Sequence, residues 1–221
     1  MPPPTHHRRG FTLIEMLVVM AVIGLLAAII LNVNGLVQSK AAKTRALGEI
    51  QSLETGIGSY KADNGSVPQS SATDSLDPRI SGDPTKSEYR NASLKLYKEL
   101  SGDLNANGRN EPNAATPEPR SYLTDFFTPQ RMGTDPNKTL GTADHVLFIK
   151  DPYGNSYGYS TIAALAEQTY RAKVATDPAA TRDAKPKGYN ATFDLWSTSG
   201  KTLPPGTTPS GDATNMWIKN W

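Results

Sequence analysis

From Met16 to Leu31 every residue is apolar or glycine (MLVVMAVIGLLAAIIL), and no charged residue occurs from Met16 through Ser39. Counted from Phe11, the run covers 21 residues and holds one carboxylate, Glu15. About 20 such residues cross roughly 30 Å of hydrocarbon as a helix. A surface helix of a soluble domain needs a polar face, and this stretch has none. It must meet lipid or other apolar helices. The remaining chain is polar, so the average of 37% hydrophobic and 20% charged residues mixes two environments.

A short hydrophilic leader, MPPPTHHRRG, precedes the run and carries Arg8 and Arg9. Three readings compete for this arrangement. A cleaved secretory signal requires a basic start, an apolar stretch and a small-residue cleavage site, but here the stretch is long and contains Glu15. A generic single-pass anchor explains the length and gives Glu15 no role. Flanking charge does not orient it, because Arg8 and Arg9 face Lys40, Lys43 and Arg45 across the run.

The third reading uses more residues. Arg9-Gly10-Phe11-Thr12-Leu13-Ile14-Glu15-Met16 resembles the class III signal of type IV pilins and of the pseudopilins of type II secretion. The resemblance implies that a prepilin peptidase cuts after Gly10 and N-methylates the new terminal residue, Phe11. It further implies that Glu15 pairs with the Phe11 amine of a neighbouring subunit and sets the register of stacked helices. An unpaired carboxylate in a membrane helix costs a few kcal/mol, so a partner of this kind discriminates correct from incorrect stacking. An intramolecular pair between Phe11 and Glu15, one turn apart, stays open, as does a carboxylate reaching water at the interface.

The sequence VQSKAAKTRALGEIQSLETGIGSYKADNG continues as a helix of different character. Leu47, Ile50, Leu53, Ile57 and Tyr60 recur at spacings of 3, 3, 4 and 3, which predicts one apolar stripe. Lys43, Arg45, Glu49, Glu54 and Lys61 fall elsewhere on the wheel. Asp63-Asn64-Gly65 closes the helix, with Pro68 behind it. A single helix from Phe11 to Asp63 would measure roughly 80 Å.

Beyond it, Gln69–Lys86 reads as loop, Asn91–Leu100 as a short helix with Leu94, Tyr97 and Leu100 (and Leu96 as a further candidate) inward, and Asn105–Arg120 as irregular. Val146–Ile149 reads as a strand entering the turn Asp151-Pro152-Tyr153-Gly154-Asn155, with Tyr157 and Tyr159 alternating in the next strand. Ile162–Val174 has helical composition, and Thr192–Ser197 alternates as a strand. Four of these segments resemble major pseudopilins in order: Tyr60–Pro68, Asp151–Tyr157, Asp194–Ser197 and the terminal Ile218-Lys219-Asn220-Trp221. Val67 stands where that family carries tyrosine, and the stretches 69–144 and 162–188 are longer than their counterparts.

Composition narrows the chemistry. The chain has no cysteine, which excludes disulfides, Cys-ligated metals and a cysteine nucleophile. Of three histidines only His145 lies outside the leader, adjacent to a predicted strand, where a structural role is expected. No nucleophile elbow or phosphate loop occurs, so an enzyme is not expected. A formal charge of +2 argues against a broad nucleic-acid surface, and removing the leader leaves 21 basic against 21 acidic residues.

Asp103-Leu104-Asn105-Ala106-Asn107-Gly108 satisfies the first half of a calcium loop. The twelfth position is Ala114, where glutamate is required, and Glu111 at the ninth stands as a substitute. Calcium at Asp103, Asn105, Asn107 and Glu111 is therefore weighed against an Asn/Gly-rich turn. The pseudopilin resemblance implies a different calcium site, after the last long strand, but in Ser197–Thr214 only Asp212 is acidic.

The expected fold is α+β and pilin-like: a long N-terminal helix on a small antiparallel β head with loop and helical insertions. The expected divisions are a leader at 1–10, a transmembrane and filament-core helix at 11–35, its amphipathic half at 36–65, and a periplasmic head at 66–221. The resemblance implies a pseudopilus subunit stored in the inner membrane, with itself, other pseudopilins, the prepilin peptidase and the inner-membrane assembly platform as partners. The alternatives are a minor pseudopilin, a type IV pilin for adhesion, motility or DNA uptake, or a membrane-anchored periplasmic binding or hydrolytic domain.

Overall fold

The computed structural model describes residues 11–112, 120–123, 125–185, 187–203, 209 and 214–221, the side chains of 29–36 excepted. The chain divides into two compact units, Met1–Ala41 and Ala42–Trp221.

Helix α1 spans Leu13–Asn64. In the first unit its described apolar side chains are exposed, Leu13 at 84% and Met20 at 70%. Among the described residues no helix is long and apolar enough to cross a membrane, and the described side chains of the apolar run stop at Ala28. At its other end α1 stops as expected: the Gly65 N–H donates to the Lys61 carbonyl (2.8 Å) with φ +76°, a left-handed turn that favours glycine.

In the second unit the buried stripe of α1 is Ala46, Ile50, Leu53 and Ile57, spaced 4, 3 and 4. This shifts the expected stripe. Leu47 is 45% exposed, Tyr60 is half-buried, and Glu49 is 4% exposed on the packed side. Hydrophobicity placed Leu47 inward, but the helix turns so that Glu49 reaches two polar partners.

Helix α2 (Ser71–Ser75) forms within the segment expected to be loop. The Thr73 hydroxyl accepts the Ser70 N–H (2.9 Å) and meets the Thr161 hydroxyl (2.6 Å), which fixes this one turn. Helix α3 (Ser87–Ser101) begins earlier than its apolar periodicity suggested. It buries Tyr89, Ala92, Leu96, Tyr97 and Leu100, while Leu94 is only half-buried. It ends at Gly102, whose N–H donates to the Lys98 carbonyl (3.1 Å) with φ +79°.

Two small antiparallel sheets complete the α+β head. Strand β1 (Met132–Thr134) pairs with β2 (Val146–Ile149). Strands β3 (Gly158–Ser160), β4 (Asp194–Ser197) and β5 (Ile218–Lys219) form the second sheet in that order. The Asp151 turn joins the sheets: one carboxylate oxygen accepts the N–H of Tyr153 (3.0 Å) and Asn155 (2.8 Å), and the other accepts the Ser197 hydroxyl of β4 (2.5 Å). Helix α4 (Ile162–Thr176) follows β3 and buries only Ile162.

All four residues of β4 are buried, so the expected in–out alternation gives no exposed face. Leu195 joins the main core of α1, α3 and both sheets, whereas Trp196 enters a second cluster with Leu76, Tyr89, Ala92 and Trp217. The Trp196 indole N–H donates to the Tyr89 hydroxyl (3.2 Å), and its ring stacks on Trp217 at 6.1 Å. The tryptophans pack as expected from the sequence, although Trp217 and Trp221 keep indole N–H groups without partners among the described residues.

Candidate functional site

The chemistry singled out by sequence begins at the Gly10–Phe11 junction. Gly10, Arg8 and Arg9 lie outside the described residues. Phe11 is 76% exposed and Thr12 precedes the first helical residue. The Glu15 carboxylate accepts both the Thr12 N–H (2.8 Å) and the Thr12 hydroxyl (2.9 Å), while the Thr12 hydroxyl lies 3.3 Å from the Glu15 N–H. This reciprocal pattern is a capping box, and it satisfies helix N–H groups that have no carbonyl partner. Its T-x-x-E spacing is visible in the sequence, where the prepilin signal drew attention to Glu15 alone. Within this chain Glu15 therefore caps its own helix.

The calcium candidates fold into a self-bonded turn. Asp103 is buried, with one oxygen accepting the Asn107 N–H (3.1 Å) and the other accepting the Gly108 N–H and the Tyr97 hydroxyl (both 2.8 Å). The Asn105 and Asn107 side-chain oxygens accept the N–H of Asn107 (3.3 Å) and Arg109 (2.7 Å). Exposed Glu111 lies 3.4 Å from the Arg109 guanidinium. The loop oxygens are thus held by the turn's own N–H groups, and Glu111 lies beside the Arg109 guanidinium. Among the described residues no three His, Cys, Asp or Glu side chains gather where a metal could sit. Ala114 and Asp212 lie outside the described residues. The ring of His145 bonds the Lys138 carbonyl (3.0 Å), a structural role.

Sequence reasoning missed Glu49. Its carboxylate accepts the Arg131 guanidinium (2.9 Å) and the Tyr157 hydroxyl (2.8 Å), joining α1 to the residues that immediately precede β1 and β3. Burial drives the Tyr157 hydroxyl far above its ordinary range, and the Glu49 charge adds to this. Burial also raises the Asp151 carboxyl, against the pull of its Ser197, Asn155 and Tyr153 bonds. The nearest signal was a charge directly beside the stripe, which periodicity alone assigns to solvent.

A long N-terminal helix and small antiparallel sheets make an α+β architecture consistent with a pilin-like fold. The family model described as "Prokaryotic N-terminal methylation motif" matches residues 5–31. The chain is similar to the type II secretion system core protein G of Escherichia coli (strain K12), with 42% identity over 65 residues, 29% of this chain and 44% of that protein. It is 34% identical over 83 residues to that of Aeromonas hydrophila, covering 37% of this chain and 57% of that protein. The chain therefore spans about half the length, or less, of the curated relatives it matches. No solved structure matches it. Motif and relatives together show that the N-terminal part of the chain is similar to type II secretion core protein G.

Proposed function

We propose that the chain is a structural subunit of a type II secretion pseudopilus, polymerising from the inner membrane to drive export across the outer membrane. The observation that carries this reading is the methylation motif over residues 5–31, joined to about 40% identity with core protein G. Its role is assembly rather than catalysis. The peptidase cuts between Gly10 and Phe11 and methylates Phe11. The apolar run then holds the subunit in the membrane, with its head in the periplasm, until neighbouring helices bury it. Its partners are copies of itself, other pseudopilins, the prepilin peptidase and the inner-membrane platform.

Glu15 supports two roles, and they separate experimentally. Its capping role survives replacement by glutamine, which serves at the third helical position of a capping box. Its charge pairing with a neighbour's Phe11 amine does not. Both Glu15→Val and Glu15→Gln should abolish filaments and secretion while leaving the protein in the membrane fraction. Normal filaments from Glu15→Gln would reduce Glu15 to a helix cap. N-terminal sequencing of protein from a host with the peptidase should begin at methylated Phe11.

Calcium at Asp103, Asn105 and Asn107, with Glu111 as the outer ligand, is a second proposal. It requires Glu111 to leave Arg109 and the loop oxygens to turn from their N–H donors to the ion. Calcium should then raise the melting temperature over a chelator-treated sample, and Asp103→Asn should remove the difference. Identical melting curves end this reading.

A further inference from the structure

The insertion 162–188, to which the filament reading gives no role, lines a cavity of about 340 Å³ between α4 and the segment leading into β4. Its polar lining is strongly one-sided. Arg79, Lys173, Arg182, Lys185 and Lys187 line it with only two acids, Glu167 and Asp183, a surplus of three positive charges (5 − 2 = 3). Arg171 and Arg182 bond the Glu167 carboxylate and hold it down at about 2, so Glu167 stays ionised and is paired with Arg182, one of the five cations. Lys173, Lys185 and Lys187 are exposed and have no ion pair among the described residues.

The walls fix where the charges stand. The Arg79 guanidinium lies 4.2 Å over the Tyr189 ring and donates to the Gly188 carbonyl, while Arg182 lies 4.2 Å over Tyr170. Tyr189 in turn stacks on Trp221 at 4.5 Å. Aromatic contact of this kind holds an arginine in place while leaving N–H groups free to bond. Ala163 and Ala166 add apolar lining.

The arrangement selects its ligand. Both guanidiniums of the lining are already engaged, Arg182 by Glu167 and Arg79 by the Gly188 carbonyl, and the three lysines are point charges, an arrangement unlike the bidentate fork that a compact anion favours. An extended chain with spaced carboxylates can reach successive lysines while its backbone lies against the tyrosines. The volume is at the small end for a binding cavity, enough for two or three residues. Nucleic acid is disfavoured because the chain as a whole carries only +2. We propose that this cavity is a docking site for a short acidic segment, rich in Asp or Glu, on a partner protein. The inference rests on the cavity and not on the filament role.

The test uses the full chain in detergent and a labelled hexapeptide of alternating serine and glutamate, read by fluorescence anisotropy. Saturable binding is expected, weakening at least about fivefold from about 50 mM to about 0.5 M salt. Lys173→Ser, Lys185→Ser and Lys187→Ser together should weaken it about tenfold or more with the melting temperature unchanged. The three corresponding Lys→Arg changes should retain it within about twofold, because they keep the charge. Absence of saturable binding, equal affinity of the serine variant, or loss in the arginine variant would overturn the proposal. So would displacement of the peptide by inorganic phosphate at equal total charge, which marks a compact-anion site. Tighter binding of a duplex oligonucleotide of equal charge would do the same, marking a nucleic-acid surface.

Discussion

Glu49 pays for its place on the packed side of α1 with two hydrogen bonds, to Arg131 and Tyr157. Arg131 is about one-third exposed and also donates to the Phe126 carbonyl (3.0 Å), so it can rehydrate if Glu49 is lost. The Tyr157 hydroxyl is buried and cannot. Removing one partner of a buried pair costs more than the pair contributes, because the other is left unsatisfied. Glu49→Ala should therefore lower unfolding stability by about 2–3 kcal/mol in denaturant titration. Glu49→Gln, which still accepts from Tyr157, should cost less. Equal losses would show that packing, not hydrogen bonding, sets the value of this position. Thr12 and Glu15 make a similar point from the other side. Their capping box is local, so its signal lies within four residues of sequence, whereas the partners of Glu49 lie 82 and 108 residues away.

At the scale of strands and turns, both sheets place an aromatic ring over a cross-strand glycine. Gly133 pairs with Phe148 across β1 and β2, and Gly158 pairs with Trp196 across β3 and β4. A Cβ on Gly133 would stand 2.3 Å from the Phe148 ring, and one on Gly158 would stand 2.2 Å from the Trp196 indole. The Trp196 indole is fully buried against Tyr89 and Trp217, whereas Phe148 is only half-buried. Gly158→Ala should cost about 1–3 kcal/mol by overpacking, read as a lower melting temperature. Gly154→Ala is a useful contrast: its Cβ meets nothing within 4 Å, so its cost comes only from the positive φ of 89°. A Gly158→Ala variant as stable as wild type would show that the indole moves freely. The Asp151-Pro152-Tyr153-Gly154-Asn155 turn was legible because each residue type serves a local need. The division into two sheets was not, since Val146–Ile149 and Gly158–Ser160 read equally well as neighbours in one.

For the molecule as a whole, buried carboxylates set the response to pH. Burial raises both Asp151 and Asp194 above the ordinary carboxylate range, although Tyr189 and Asn190 N–H groups pull Asp194 the other way. A raised acid binds its proton more tightly in the folded state. Its stabilising contribution is present at and below the ordinary value and is lost as pH rises through the raised one. The melting-temperature advantage of wild type over Asp151→Asn should therefore shrink from weakly acidic towards neutral pH. A constant difference would mean that Asp151 ionises as it does in water. Glu167, half-buried in a surface ion pair with Arg171 and Arg182 and lowered to about 2, acts in the opposite sense, and solvent screening keeps its effect small.

The sequence by itself determined the apolar run, the N-terminal motif, the helix stop at Gly65 and the Asp151 turn. Each is written in contiguous residues, through hydrophobicity, capping and the special conformations of glycine and aspartate. Tertiary structure alone decided which side of α1 is buried, that β4 is covered on both faces, and that α4 and the segment before β4 enclose a basic cavity. Those outcomes depend on partners distant in the chain. Glu49 is buried because Arg131 and Tyr157 are there to receive it, and spacing along one helix carries no record of them.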